Sequence, residues 1–354
     1  MAASARSKFT KKAQEDKAPK TINLALQGGG AHGAFTWGVL DRLLEEERLA
    51  FEGISATSAG AMNGAVLAYG LTIGGRDGAR TALTEFWRRV SDHARLSPLQ
   101  PSPFDRITKD FSLTASPAFA FAAFMTRLWS PYQFNPLNLN PLLDALLASV
   151  DFGTLQSPDC PIKLFLSATN VRTGKIKVFE RREISASAVM ASACLPSLFH
   201  AVEIDGEAYW DGGYMGNPPL FPLIYHCESA DILVVHLNPL YRSEVPYTAD
   251  EILNRINEVS FNSSLMREMR AVAFVSRLIT ENRIKDLGLK QVLIHGVAND
   301  ELINGLNAVS KYNADWDFIT FLRDEGRRCA SDWLARNFSR LGVESTVDIE
   351  QTYL

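Results

Sequence analysis

The sequence predicts an α/β fold: a single three-layer domain with a mostly parallel central sheet and a helical C-terminal region. Two observations carry that expectation. Short apolar runs alternate with amphipathic helical patterns, and such alternation lays helices on both faces of a parallel sheet. No Pro/Gly/Ser linker, internal repeat or low-complexity core segment divides the 354 residues, a length that one α/β domain with insertions can reach.

The elements follow in order. Ile22 to Leu26 is an apolar run ending in glycines, as a buried strand does. Phe35, Val39 and Leu43 recur every four residues, with Leu40 and Leu44 beside them, which marks an amphipathic helix. Phe51 to Thr57 reads as a second strand. The small residues after it, Ala59, Gly60, Ala61, Gly64, Ala65 and Ala68, suit a helix packed closely on a sheet. From Leu96 to Asn140 the pattern weakens and proline is frequent; within this stretch Ser116 to Met125 reads either as a buried cap or as a lid. Strand patterns return at Ile162 to Ala168, Lys175 to Phe179 and Ile232 to Leu237. Helical patterns occupy Ala249 to Ile284 and Asp315 to Phe338. Residues 21–240 are expected to form the core and 241–354 a mainly helical part of the same domain.

Composition narrows the functional classes. Hydrophobic residues make up 46% and charged residues 21%, with a net charge of −4, so no basic field points to nucleic acid. Cys160, Cys194, Cys227 and Cys329 form no CxxC pair, and a reducing, cytoplasmic setting with free thiols is expected. No metal or cofactor is called for by any motif. No run reaches the 18 or more apolar residues of a transmembrane helix, and the N-terminus lacks the apolar stretch of a secretory signal. Residues 1–20 read as a disordered basic tail, with peripheral contact at an anionic inner membrane surface as the functional alternative.

Three motifs carry chemistry. Gly28-Gly29-Gly30-Ala31-His32-Gly33 joins a strand to a helix, where glycines let the backbone approach a ligand and the helix start aims N–H groups at negative charge. Gly28, Gly30 and Gly33 also fit the dinucleotide fingerprint G-x-G-x-x-G, for which Glu52 would have to hold ribose although it precedes the apolar part of its strand. Otherwise the loop is an oxyanion hole. Ala56-Thr57-Ser58-Ala59-Gly60 lies where a strand meets a helix, the context of a nucleophile elbow with Ala56 in place of its first glycine; alone, Ser58 could equally be an N-cap. Asp211-Gly212-Gly213 reads by itself as a turn, or as a carboxylate brought close to Ser58. Asp205-Gly206, six residues earlier, is expected to turn the hairpin that delivers Asp211.

Taken in order, GGGAHG, ATSAG and DGG resemble the patatin-like phospholipase family. Asn135 to Leu142, Ser167 to Lys175 and Ala191 to Gly213 are similar to its bacterial members as well. The resemblance is strong from Asn23 to Asn238 and weak in the C-terminal third. It implies a patatin-like fold and metal-free hydrolysis of fatty acyl esters by a Ser–Asp dyad, with a lipid acyl ester as substrate partner. On this sequence Ser58 falls on the nucleophile and Asp211 on its proton acceptor. Gly28, Gly29 and Gly30, continued by Ala31 and Gly33, fall on the oxyanion loop. Two positions depart from the pattern: Ala56 replaces glycine, and His32 stands where bacterial members usually carry arginine or lysine.

Two rivals stay open. A Ser–Asp–His esterase would recruit His226, His236 or His295, which all follow Asp211. A non-catalytic lipid-binding protein would keep the fold without turnover. The acyl chain, headgroup, bond position and oligomeric state are not legible in the sequence.

Overall fold

The computed structural model describes residues 19–95, 121, 124–126, 128–281, 289–306 and 308–354. The basic tail over 1–18 and most of the 116–125 segment lie outside the described residues, so neither reading meets a structural test. Lys20–Leu26 forms β1, Gly33–Leu44 α1, Leu49–Ala56 β2 and Ala59–Ala94 α2. Then come β3 (Lys163–Asn170), β4 (Ile176–Glu180), α3 (Ala186–Ser192), β5 (Val202–Ile204) and β6 (Glu207–Asp211). The remainder supplies α4 (Phe221–His226), β7 (Asp231–Val235), α5 (Ala249–Thr280), β8 (Leu293–Val297), α6 (Trp316–Asn337) and α7 (Ile349–Tyr353).

The sheet runs β5-β6-β3-β2-β1-β7-β8, with β4 also paired to β3. β3, β2, β1, β7 and β8 are parallel, while β4, β5 and β6 pair antiparallel. Strand alternation feeds two cores, one on each face. Leu24, Leu26, Leu164, Leu166, Leu233 and Val235 face α1, α2, α3 and α6. Ala25, Phe165, Ile232, Val234 and Ile294 face α4, α5 and α7. Helices therefore cover both sides, as the alternating pattern predicts. Strand β8 had no separate sequence signal: its run is only five residues and is interrupted by His295 and Gly296.

Helix α6 is tied to α1 by backbone approach. A Cβ on Gly38 of α1 would come within 1.9 Å of the Arg323 carbonyl, and one on Gly326 of α6 within 2.1 Å of the Phe35 carbonyl. Phe35 is fully buried at this crossing, worth about 1.5–3 kcal/mol in removal from water. Asp41 of α1 then pairs with Arg80 of α2 and Arg327 of α6. Helix α2 itself bends at Gly74–Gly75, where Gly75 adopts φ +59°.

Candidate active site

Strand register brings the ends of β1, β2, β3 and β7 to one rim of the sheet. Leu26 pairs with both Ala56 and Val235, and Ala56 pairs with Leu166. The segments that follow, Gln27 to Gly30 and Thr57 to Ser58, therefore emerge side by side. This is the rim where open α/β sheets place their ligands.

Ser58 has φ +55° and ψ −122°, a conformation rarely adopted by a residue with a side chain. The surroundings hold it there. Its N–H donates to Ser192 Oγ at 2.9 Å, and its carbonyl accepts from Met62 N–H at 3.1 Å in the first turn of α2. Thr57, fully buried, joins Ser167 Oγ and the Gly216 carbonyl in one cluster, at 2.6 and 2.7 Å. A Cβ on Gly60 would lie 2.3 Å from the Leu26 carbonyl, so α2 can begin this close to β1 only with glycine there. Ala56 is fully buried, and a Cβ on Gly64 would sit 3.5 Å from the Ala56 methyl, an ordinary contact. The methyl that replaces the elbow's first glycine is thus accommodated against the small face of α2. The positive end of the α2 dipole begins at Ala59, directly after Ser58.

Asp211 ends β6 beside the same rim. The hairpin that carries it turns through Asp205 at φ +51° and Gly206 at φ +79°. Its N–H donates to the Cys194 carbonyl at 2.7 Å, and Thr169 Oγ1 donates to its carbonyl at 2.8 Å. Its Oδ1 accepts the Gly213 N–H at 2.7 Å. A Cβ on Gly212 would lie 2.2 Å from the Ser167 carbonyl, and one on Gly213 2.2 Å from the Phe261 ring, so both glycines are required by close approach. Burial pushes the Asp211 carboxyl up to about 7, against the opposing pull of the Gly213 N–H and the Ser58 hydroxyl. Oδ2 is buried and closes no hydrogen bond. The Ser58 hydroxyl is near enough to favour the charged carboxylate without meeting the length and angle of a full bond. Tyr214 and Tyr312 lie close enough to Asp211 for its charge to hold their phenols above the ordinary range, after burial itself.

The glycine loop stands against the serine. A Cβ on Gly28 would meet the Ser58 Cβ at 2.6 Å, and one on Gly33 would meet the Ala59 Cβ at 2.7 Å. Gly30 takes φ +60°. The five loop positions do not offer equal donors. Gly28 N–H donates to Asn217 Oδ1 at 2.7 Å, and Gly33 N–H is used by the Gly30 and Ala31 carbonyls. Among the described residues, the N–H groups of Gly29, Gly30 and Ala31 have no such partner. His32 is buried, its Nε2 2.8 Å from Ser310 Oγ. Burial, then the Lys311 charge, lowers it to about 3, so it is neutral at pH 7.

The remaining sequence candidates are engaged elsewhere. His236 Nε2 lies 2.8 Å from the Tyr353 hydroxyl, His295 Nε2 is 2.9 Å from Asp231 Oδ1, and the His226 ring stacks on Phe165. Among the described residues, no histidine hydrogen-bonds Ser58 or Asp211. Glu52 accepts from Lys163 Nζ and from the Glu228 and Ser229 N–H groups at the opposite rim, leaving no carboxylate for a ribose. Among the described residues, no group of three His, Cys, Asp or Glu could hold a metal, and no helix is long and apolar enough to cross a membrane. Three contributors escaped sequence reasoning: Ser192, Asn217 and Asn238. Asn217 had one usable signal, an Asn-Pro pair shortly after the Asp-Gly-Gly turn.

A mixed, mostly parallel sheet flanked by helices, with a strained serine on a strand-to-helix turn, defines an α/β protein of the elbow-serine class. Within that class, the patatin-like phospholipase model matches residues 24–224, and the chain belongs to this family. Among solved structures the chain is similar to VipD from Legionella pneumophila, with 15% identity and a TM-score of 0.43, over 90% of this chain and 67% of that one. It is also similar to ExoU from the type III secretion system of Pseudomonas aeruginosa, solved in complex with SpcU, with 16% identity, a TM-score of 0.34 and 92% of this chain covered. The chain spans about half, 53%, of the length of that matched chain. A search of curated proteins finds no match.

Proposed function

We propose that the protein is a serine hydrolase of lipid acyl esters, acting through a Ser58–Asp211 dyad. One observation carries this reading: Ser58, held at φ +55°, lies within reach of the buried Asp211 carboxylate, whose Oδ2 closes no hydrogen bond among the described residues. Family membership supports a lipid as the substrate.

In this mechanism the Asp211 carboxylate takes the Ser58 proton as Oγ attacks the acyl carbonyl carbon. The carbonyl π pair moves to oxygen, and the unengaged N–H groups of Gly29, Gly30 and Ala31 receive that oxyanion. Collapse breaks the ester C–O bond, and the departing alcohol takes the proton from Asp211. Water then attacks the acyl-serine with Asp211 again as base, releasing the fatty acid and restoring Ser58. An ordinary aspartate is a weak base for such a step; one pushed up to about 7 by burial is better matched to neutral pH. No histidine enters the cycle, in keeping with the partners that His236 and His295 already have. Phospholipid, lysophospholipid and neutral lipid all fit this chemistry, with the protein acting peripherally at a membrane.

The test is to incubate wild type and Ser58→Ala with a mixed lipid extract and follow which species disappear. Fatty acid release by wild type alone supports the reading. A folded wild type that releases none and takes no fluorophosphonate label at Ser58 would make this a lipid-binding protein instead.

A further inference from the structure

Both backbone polar groups of Gly28 are held by buried asparagine side chains. Its N–H donates to Asn217 Oδ1 at 2.7 Å, and its carbonyl accepts from Asn238 Nδ2 at 2.8 Å. Asn238 is 2% exposed. It follows β7, beyond residue 224 where the family match ends. The Gly28 carbonyl and the Gly29 N–H belong to one trans peptide and point in opposite directions. Pinning the carbonyl on Asn238 therefore aims the Gly29 N–H the other way, and this N–H has no partner among the described residues.

An asparagine amide can present either end, and the wrong end would set oxygen against the Gly28 carbonyl. Lys311 settles the choice. Its ammonium donates to Asn238 Oδ1 at 3.1 Å, and an ammonium has no acceptor to offer. Gln27 Oε1 fixes the same segment by accepting the Leu237 and Asn238 N–H groups at 2.9 and 3.1 Å. Lys311 also walls the loop: a Cβ on Gly30 would lie 2.4 Å from the Lys311 carbonyl. The bonds run in one sense, from Lys311 through Asn238 to the Gly28 carbonyl, and end on the peptide that carries the free Gly29 N–H. Bonds chained in one sense polarise each other and strengthen the terminal donor.

We propose that Asn238, locked in orientation by Lys311, is a positioning residue that aims and polarises the Gly29 N–H as an oxyanion donor. The proposal rests on the serine hydrolase reading. It is independent of which lipid is cleaved, because it concerns only the carbonyl oxygen of the acyl group.

The experiment compares a soluble short-chain acyl ester with its thionoester, in which sulfur replaces the carbonyl oxygen and accepts hydrogen bonds weakly. Wild type, Asn238→Leu, Lys311→Met and Lys311→Arg are assayed for kcat and KM on both, with circular dichroism as the folding control. The expected losses in kcat on the ester are ~10²-fold for Asn238→Leu and ~10-fold for Lys311→Met, with KM within about threefold. The ester-to-thionoester ratio of kcat falls in both variants, and Lys311→Arg recovers most of it. A ratio equal to wild type in a folded Lys311→Met or Asn238→Leu overturns the proposal while leaving the hydrolase reading intact. Absence of Ser58-dependent turnover in wild type overturns both.

Discussion

Ser58 lies two residues beyond the end of β2 and Asp211 ends β6, and these two strands meet head to head along one edge of β3. β4 occupies the other edge of β3, pairing Phe165 through Thr169. β2 arrives parallel and makes its last pair at Leu166, while β6 arrives antiparallel and ends at Ala168. The strand ends face each other across two residues of β3. Ser192 Oγ and the Cys194 carbonyl then hold the N–H groups of Ser58 and Asp211 respectively. Ser58 and Asp211 are thus both positioned by β3 and the 192–194 segment, and the proposed dyad leads to five expected outcomes.

Ser58→Ala is expected to reduce ester turnover by at least ~10³-fold and to abolish fluorophosphonate labelling, with Tm within about 2 °C of wild type. Asp211→Asn should reduce kcat by a similar factor, because among the described residues no other carboxylate or histidine is placed to take the Ser58 proton. Steady-state kinetics and probe labelling on the purified variants measure both. Retention of a tenth of wild-type activity by Asp211→Asn would remove it from the mechanism.

The Asp211 carboxyl must be ionised to take a proton, so kcat/KM should rise with pH through about 7 and level off above it. Stability should move the other way. The folded protein holds the Asp211 proton to higher pH than the unfolded chain does, so stability present below the ordinary carboxyl range is lost as pH rises towards 7. Glu268, also pushed up to about 7 by burial, adds the same trend. Urea titrations between pH 4.5 and 8 should show a shallower decline for Asp211→Asn, by on the order of 1 kcal/mol per pH unit. At pH 8 the inactive variant should be the more stable protein.

Gly28→Ala should eliminate activity while the protein still folds. Its methyl would sit 2.6 Å from the Ser58 Cβ, and the displacement falls on Ser58, the proposed nucleophile. Gly212→Ala should be less well tolerated in the fold, since its methyl would meet the Ser167 carbonyl at 2.2 Å and must move backbone. Thermal melts beside kinetics measure both: lost turnover with a lowered Tm for Gly28→Ala, because the Ser58 Cβ moves only with its backbone, and a larger fall in Tm for Gly212→Ala.

Asp205→Asn should leave kcat within about twofold of wild type. Asparagine adopts the left-handed conformation of this turn at least as readily as aspartate, and the hairpin would still deliver Asp211. If Asp205→Asn were inactive and Asp211→Asn active, the carboxylate assignment would pass to Asp205.

His236→Asn and His295→Asn should keep Ser58 labelling rates within about threefold, at some cost in stability. His295 pairs with Asp231, and His236 with Tyr353, so each loss is structural. Activity abolished in a folded His236→Asn protein would revive the Ser–Asp–His alternative.

Much of this was legible in the chain. The apolar runs at 22–26, 51–57, 162–168 and 232–237 became strands because their alternating residues feed two separate cores. The helix patterns at 249–284 and 315–338 match Ala249–Thr280 and Trp316–Asn337 within the described residues. Glycine and Asp-Gly punctuation marked the loops, because left-handed φ and close approach restrict which residues fit. What stayed hidden was partnership. Nothing local in Asn217 or Asn238 says that each holds one backbone polar group of Gly28, and nothing in Lys311 says that it faces an asparagine 73 positions earlier.

The sequence by itself determined the α/β class, the order of the three motifs and the family they belong to, because strand period, turn chemistry and motif order are local properties. Only the tertiary structure decided which loop donors are engaged: Gly28 and Gly33 are, and among the described residues Gly29, Gly30 and Ala31 are not. Only it turned His236, His295 and Glu52 towards other partners. The physical reason is that a hydrogen bond has one donor direction and a buried group must satisfy it with whatever the fold brings near. Strand register, set by the whole sheet, chooses that neighbour.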